Sequence, residues 1–232
     1  FQQDLNGDGT IGVVRTVIES FGATTLAQVG NNYALYAVGT TSGPTVKFSG
    51  ADLTVGQFGG WTPIGAEAVS GGYDVALRNG GANEYCVWKL DASGNYAGNV
   101  IGGVSGGNAT LQGLETTFHQ DLNGDGTIGV VSTVIEAFGA TTLAQAGSNY
   151  ALYAVGTTSG PNVKFSGADV TVGQFGGWTP IAVEPISGGY ELAFHETGTD
   201  QYCVWKVDGS GNYVGNILGG VPGSSAALKA LE

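Results

Sequence analysis

Short runs of alternating apolar and polar residues, rich in β-branched and aromatic side chains, dominate the first hundred residues of the chain. The first four are TVIESF, TTLAQV, YALYAV and TVKFS. Four more follow, divided by turn sequences such as SGG and NGGAN: WTPIGAEAV, YDVALR, EYCVWKLD and NYAGNVI. Runs of this length and composition predict β-strands, and the tight turns between them favour antiparallel pairing.

One segment has a different period. In residues 106–119, Leu111, Leu114 and Phe118 recur at helical spacing, with Ala109 beside them. This spacing predicts a short amphipathic helix that runs into the polar sequence QDLNGDGTIG. A similar helical sequence, GSSAALKALE, ends the chain.

The whole pattern occurs twice. A shift of 117 residues aligns the chain with itself without a gap, and 84 of the 115 aligned residues are identical. We therefore predict a mainly β fold of two tandem modules, residues 1–117 and 118–232. Each module is expected to be an antiparallel meander of about eight strands, arranged as a sandwich or a blade-like pair of sheets. Since a helix precedes only the second QDLNGDGTIG, we expect both ends of the sequence to cut through a longer array.

Composition narrows the classes of function. The chain has 232 residues, and 19 acidic against 7 basic residues give a net charge of −12. No cluster of Lys or Arg is present to neutralise phosphates, so nucleic-acid binding is not expected. No apolar run approaches the roughly 20 residues of a membrane-spanning helix. The excess of carboxylates suits the binding of cations.

The sequence QDLNGDGTIG, at 3–12 and 120–129, has the spacing of the first half of an EF-hand calcium loop. Oxygen-bearing side chains occupy alternate positions, and a glycine permits the sharp turn between them. The predicted ligands are Asp4, Asn6, Asp8 and the carbonyl of Thr10 in the first copy, and Asp121, Asn123, Asp125 and the carbonyl of Thr127 in the second. Two carboxylates in one tight turn would repel each other without a cation, so we predict Ca²⁺ as the cofactor.

The loop departs from an EF-hand at its twelfth position, where Arg15 and Ser132 replace the bidentate glutamate. Water or a carboxylate from another segment must then complete the coordination. Glu19 and Glu136, on the strand that follows each loop, are the predicted carboxylates, and Glu115 on the preceding helix is a further candidate. The alternative is an ion-free turn, held by hydrogen bonds from side chains to the backbone.

Aromatic residues beside Asp and Asn are a second candidate site. Trp61 and Trp178 occupy equivalent positions in the two repeats, as do Tyr96 and Tyr213. Exposed rings of this kind stack against sugars, so these four residues are candidates for binding glycans or cell-surface polymers. The alternative is that these rings fill the core between the strands, with their polar tips at its edge.

Residues typical of catalysis are scarce, and no enzymatic activity is predicted. Neither His119 nor His195 has a His counterpart in the other repeat, and no G-x-S-x-G or H-E-x-x-H motif occurs. Cys86 and Cys203 occupy equivalent positions a whole module apart. We therefore expect free, half-buried thiols on strands rather than a disulfide.

Several stretches in combination resemble the tryptophan-rich C-terminal domain family first named from Synechocystis: YALYAVGTTSGP, VGQFGGWTPI, YCVWK and the closing L-x-x-L-E with QDLNGDGTIG. The likeness covers both repeats. Repeats of that family are strung in tandem in large exported bacterial proteins, often beside RTX-type or haemolysin-like calcium-binding regions. The resemblance therefore implies secretion or display on the bacterial cell surface, and an order that depends on calcium.

The expected function combines these observations. We expect a calcium-binding tandem repeat of an extracellular bacterial protein, with neighbouring repeats of a longer array as partners and a structural or adhesive role. In an array each module contacts only its neighbours, so Ca²⁺ at the helix-to-strand junction would make that junction rigid. The alternative is a carbohydrate-binding module that uses the exposed Trp and Tyr residues.

Overall fold

The computed structural model describes residues 2–5, 7, 9 and 11–232. Strands account for 52% of the structure and helices for 6%, which confirms the predicted mainly β class. The chain divides into two compact units, Phe1–Gly129 and Val130–Glu232. Within the described residues, no helix is long and apolar enough to cross a membrane.

The described part of the first unit contains three antiparallel sheets. A three-stranded sheet is formed by β1 (Arg15–Glu19), β2 (Thr24–Val29) and β3 (Asn32–Ala37), a two-stranded sheet by β4 (Lys47–Phe48) and β5 (Ala51–Asp52), and a four-stranded sheet by β6 (Trp61–Val69), β7 (Gly72–Asn79), β8 (Glu84–Asp91) and β9 (Tyr96–Ser105). Helix α1 (Ala109–Phe118) follows the last strand, as the helical spacing predicts.

The second unit repeats this order. Its sheets are β10 (Ser132–Glu136), β11 (Thr141–Ala146) and β12 (Asn149–Ala154); β13 (Lys164–Phe165) and β14 (Ala168–Asp169); and β15 (Trp178–Ile186), β16 (Gly189–Glu196), β17 (Gln201–Asp208) and β18 (Tyr213–Pro222). Helix α2 (Ala226–Lys229) is shorter than α1.

The prediction of a meander of about eight strands per module is not confirmed, because the described residues of each unit form nine strands in sheets of three, two and four. The run TVKFS was expected to be a full strand, but it ends in a two-residue hairpin turn between β4 and β5. Ser49 and Gly50 both have positive φ, at 53° and 81°. Positive φ at both central residues is the requirement of a type I′ turn, which joins two strands directly. Ser166 and Gly167 form the same turn in the second unit, with φ of 51° and 82°.

The core of each unit lies between its three-stranded and its four-stranded sheet. In the first unit Leu26 and Leu35 of the smaller sheet pack with Val75 and Leu77 of the larger one. Successive side chains on a strand point to opposite faces. Accordingly Ala76, between those two residues of β7, packs in a second cluster with α1.

The four-stranded sheet of the first unit is thus covered on both faces. Tyr85 and Val87 of β8 face Leu111 and Phe118 of α1, whereas Trp88 joins the core on the other side. Strands that are buried on both faces have continuous apolar runs instead of alternating ones. This double burial accounts for the sequence YCVW in β8.

Both cysteines are free thiols on strands, as predicted, although only Cys203 is half-buried. Cys86 of β8 is buried and Cys203 of β17 is half-buried, and both are free thiols. Burial raises the pKa of each thiol to about 11. A thiol with such a pKa is almost entirely protonated at neutral pH, so it is a poor nucleophile and a poor metal ligand.

Candidate functional site

The second QDLNGDGTIG sequence begins where α1 ends. Asn108 caps the start of the helix, since its Oδ1 accepts hydrogen bonds from the N–H groups of Thr110 and Leu111 at 3.0 and 3.2 Å. His119 ends it in the left-handed conformation, with φ of 53°. A left-handed residue after the last turn reverses the chain direction. The loop that follows therefore folds back towards the sheet that α1 covers.

Glu115, in the last turn of α1, fixes both ends of this loop. Its side chain is 0% exposed. Oε1 accepts hydrogen bonds from the N–H groups of Leu122 and Asn123 at 3.1 and 3.3 Å, and Oε2 accepts one from Gly129 at 3.0 Å. A buried carboxylate is costly unless such partners compensate for its lost hydration. Glu115 is thus a clamp that closes the loop from inside.

Two apolar residues attach the loop to the sheet. Phe118 and Leu122 pack with Tyr85 and Val87 of β8, and they are only 1% and 4% exposed. The hydroxyl of Tyr85 donates a hydrogen bond to the carbonyl of Asn123 at 3.2 Å. The loop therefore belongs to the first unit, both by packing and by hydrogen bonding.

The predicted ligands Asp121, Asn123 and Asp125 lie together in this loop. Oδ1 of Asp121 accepts a hydrogen bond from the N–H of Gly124 at 2.7 Å, and Oδ2 accepts one from Gly126 at 2.8 Å. Oδ1 of Asn123 accepts one from the N–H of Asp125 at 2.9 Å. These bonds are those of successive turns closed by Asx side chains.

Asp125 is the more exposed of the two carboxylates in the loop. Its Oδ2 accepts hydrogen bonds from the amides of Asn123 and Gln112, each at 2.9 Å, and its Oδ1 accepts one from the N–H of Thr127 at 2.9 Å. The bond from the Asn123 amide is the main reason that the pKa of Asp125 is below its ordinary value. The carboxylate is therefore ionised at neutral pH and retains lone pairs for a cation.

The first copy of the loop shows the same turn where it is described. Asp4, the counterpart of Asp121, accepts hydrogen bonds from the N–H groups of Gly7 and Gly9, both at 2.8 Å. The other predicted ligands of this copy, Asn6, Asp8 and Thr10, lie outside the described residues.

Glu19 and Glu136 make contacts that differ from those expected of calcium ligands. Glu19 is buried, and its carboxylate accepts hydrogen bonds from the N–H groups of Phe21 and Ala66. Glu136 likewise accepts from the N–H groups of Phe138 and Val183. Each glutamate thus ties the first strand of its three-stranded sheet to the first strand of the four-stranded sheet.

The aromatic candidates are engaged in packing. The rings of Tyr96 and Trp88 are 5.0 Å apart, and those of their counterparts Tyr213 and Trp205 are 4.7 Å apart. The other two candidates, both half-buried against the core clusters, are Trp61 and Trp178. Such contacts are typical of core aromatic pairs. Glycan binding stays a prediction.

The side chains of the loop are of the chemical types that bind calcium. Calcium prefers six to eight oxygen ligands from carboxylates, amides, carbonyls and water, and Asp121, Asn123 and Asp125 supply the first two of these classes. In the described residues, no three His, Cys, Asp or Glu side chains converge on a common centre. Calcium binding therefore stays a prediction that depends on carbonyl oxygens and water.

The clamping role of Glu115 was not predicted from the sequence. The sequence suggested Glu115 only as a possible calcium ligand, yet its position in the helix already indicates that its side chain is buried. It follows Leu111 by four residues and precedes Phe118 by three, so it lies on the same face of the helix as these buried side chains. A carboxylate on the apolar face, directly before a glycine-rich loop, indicates an acceptor for that loop's N–H groups.

Comparison with known proteins gives one family. The sequence model of the family described as tryptophan-rich Synechocystis species C-terminal domain matches residues 24–129 and 141–232. The first match ends at Gly129, which is also the end of the first compact unit. No curated protein matches the chain.

Proposed function

Because this chain belongs to the tryptophan-rich Synechocystis species C-terminal domain family as two tandem repeats, we propose that it is a calcium-stabilised segment of an exported bacterial protein. Its role is structural or adhesive, and neighbouring repeats are its partners. The net charge of −12 is compatible with a divalent-rich extracellular medium.

The loop 121–129 carries this proposal. Its oxygen-bearing side chains alternate with glycines, and Glu115 holds the loop closed through the N–H groups of Leu122, Asn123 and Gly129. A loop that is ordered before binding loses less entropy when a ligand arrives. The closed loop therefore favours a site that needs little rearrangement to take a cation.

The expected affinity is that of an extracellular module. The bidentate glutamate of an EF-hand is absent, since Ser132 stands at its position, and fewer charged ligands weaken binding to dissociation constants of about 10⁻⁴ to 10⁻³ M. Calcium outside a cell is abundant enough to fill such a site. The loop lies directly before Val130, the first residue of the second unit. Bound calcium would therefore stiffen the stretch of backbone that joins the two repeats.

Calorimetric titration of the whole chain with Ca²⁺ tests the proposal. For the wild type we expect a tighter ion at the loop 121–129 and a weaker one at 4–12, and Asp121→Ala should lose the tighter ion. Asp52→Ala is the control, because Asp52 is an exposed aspartate of β5 whose carboxylate accepts hydrogen bonds from the side chains of Asn32 and Thr45 and lies outside both loops. Its stoichiometry should equal that of the wild type.

Two further measurements address the structural role. Millimolar calcium should raise the melting temperature of the wild type above its value in chelator. It should also change the radius of gyration measured by small-angle scattering. If neither quantity changes, or if Asp121→Ala binds as many ions as the wild type, the proposal is wrong.

A further inference from the structure

Three buried side-chain oxygens have no hydrogen-bond donor among the described residues: Oε1 of Glu67, Oε1 of Gln112 and Oε1 of Gln120. A buried acceptor without a donor costs free energy, so each of these atoms marks a place where a further partner could bind. The amide of Gln120 faces β6, where it donates a hydrogen bond to the carbonyl of Ile64 at 3.3 Å. The amide of Gln112, in contrast, is bonded to a carboxylate of the loop 121–129.

Gln112 lies in the middle of α1, on the face of the helix that also carries Glu115. Residues three apart on a helix share a face, and the side chains of Gln112 and Glu115 are only 3% and 0% exposed. Both are directed at the loop, since Gln112 donates a hydrogen bond to Oδ2 of Asp125 at 2.9 Å. Glu115 uses both of its oxygens as acceptors for the loop, whereas Gln112 uses only its nitrogen.

The orientation of the Gln112 amide is fixed by its neighbour in the loop. A carboxylate can only accept hydrogen bonds, so the nitrogen of the amide has to face Asp125. Oδ2 of Asp125 accepts a second bond from the amide of Asn123, also at 2.9 Å. Because Oε1 and Nε2 of Gln112 belong to one amide, Oε1 is buried close to the predicted ligand Asp125, and no donor in the described residues satisfies it.

We propose that Oε1 of Gln112 is a ligand of the calcium ion in the loop 121–129, an inference that rests on the calcium binding proposed above. Side-chain amide oxygens are among the ligands that calcium accepts. The four protein oxygens already predicted come from the loop itself. Gln112 supplies a fifth, and water completes the six to eight that calcium prefers. The helix before the loop thus provides a ligand, where the strand after it has only Ser132.

A neutral fifth ligand agrees with the weak affinity expected of an extracellular module, because affinity in such loops increases with the number of charged ligands. It also connects the ion to the helix. Gln112 binds the ion from the middle of α1, and Glu115 holds the loop from the last turn. Calcium therefore fastens α1 to the loop, in addition to stiffening the backbone before Val130.

Terbium luminescence of the whole chain tests this assignment. Terbium binds the same oxygen ligands as calcium, and a nearby tyrosine transfers its excitation to the bound ion. Tyr85 is such a residue, because its hydroxyl donates a hydrogen bond to the carbonyl of Asn123 at 3.2 Å. Emission that calcium displaces and that Asp121→Ala lacks belongs to this loop. Its lifetimes in H₂O and in D₂O give the number of water molecules bound to the ion.

Gln112→Ala removes the fifth protein oxygen and leaves space for water. We expect terbium in this variant to bind about one water molecule more than in the wild type, and the affinity for calcium to fall about tenfold. Gln120→Ala is the matched control, because Oε1 of Gln120 is also buried without a donor in the described residues while its amide faces β6. Its number of bound water molecules should equal that of the wild type.

Gln112→Glu keeps the length of the side chain and gives the ligand a negative charge. Calcium should bind this variant about tenfold more tightly than the wild type, with the number of bound water molecules unchanged. Thr116→Glu is the control for charge alone, because Thr116 is exposed on the same helix and lies beside Gly129 of the loop. It should raise the affinity less. Circular dichroism in chelator checks that each variant keeps the fold of the wild type.

Two sets of results would overturn the role of Gln112. If calcium displaces no terbium emission from the wild type, the loop does not bind calcium, and the proposed function is wrong together with the role of Gln112. If the wild type does bind, Gln112 is not a ligand when Gln112→Ala binds as many water molecules as Gln120→Ala. The same holds when Gln112→Glu gains no more affinity than Thr116→Glu. In these last two cases calcium binding by the loop stands without Gln112.

Discussion

Glu115 is the residue that most determines the conformation of the loop after α1. Burial raises the pKa of its carboxyl above the ordinary 4.5, although hydrogen bonds from Gly129, Asn123 and Leu122 act in the opposite direction. The net rise means that the loss of hydration outweighs these bonds. The folded protein therefore holds a proton on Glu115 more tightly than the unfolded chain does.

This difference makes the stabilising effect of Glu115 depend on pH. Its contribution to the free energy of unfolding is complete below about pH 4.5 and declines as the pH rises through the folded-state pKa. Glu115→Gln removes the titration and also costs about 1–3 kcal/mol, since the NH₂ group of glutamine cannot accept the backbone N–H bond that a carboxyl oxygen accepts in either protonation state. The wild type should exceed this variant in stability by more at about pH 4 than at about pH 7.

Urea unfolding at both pH values measures this difference. Glu84→Gln is the control, because Glu84 of β8 is exposed and its replacement should change the free energy of unfolding only slightly. If the gap in stability between the wild type and Glu115→Gln widens as the pH rises, the folded-state pKa of Glu115 is lowered and the expected pH dependence is wrong.

At the scale of elements, the two helices differ in how they begin. The side chain of Asn108 accepts two backbone hydrogen bonds at the start of α1, whereas Ser225, its counterpart before α2, makes no capping bond. Asn108→Ala should therefore lower the free energy of unfolding by about 1 kcal/mol. Ser225→Ala should change it by less than about 0.5 kcal/mol.

Thermal unfolding of these two variants provides a comparison at equivalent positions of the repeat. Equal effects would show that capping is not what stabilises α1. The other contribution is packing, because Leu111 and Phe118 bury the inner face of α1 against β8. A short helix depends on such tertiary contacts more than on its own propensity.

At the scale of the molecule, the two units bury their four-stranded sheets to different degrees. In the first unit the outer face of the sheet is covered by α1 and its loop, and in the second unit this face is open around Ile181 and Tyr202. We expect calorimetry to show two transitions, with the second unit unfolding at the lower temperature, because two-state behaviour fails for chains with separate domains. Phe118→Ala should lower the stability of the first unit by about 3–5 kcal/mol.

The position of each transition checks this assignment. Phe118→Ala should shift the upper transition and leave the lower one unchanged. A shift of the lower transition alone would assign the less stable unit to residues 1–129. The assignment also fails if the wild type unfolds in one cooperative step.

Local sequence was sufficient for some of these features. The helix over 109–118 follows from the spacing of its leucines, and the turn of Asp121 follows from an aspartate before two glycines. The prediction of a full strand at TVKFS was wrong, since only the backbone angles of Ser49 and Gly50 show that this run ends in a tight hairpin. The role of Glu19 was equally hidden, because its partner Ala66 is distant in sequence.

The sequence by itself determined the tandem repeat, the mainly β class, the helix and the turns of its loops, because each depends on periodicity or on contacts a few residues apart. Tertiary structure decided which faces are buried. It turned Glu115 inward as a clamp and covered the apolar run of β8 on both sides. These outcomes depend on contacts between segments distant in sequence, and a 117-residue repeat that is largely identical gives no local sign of them.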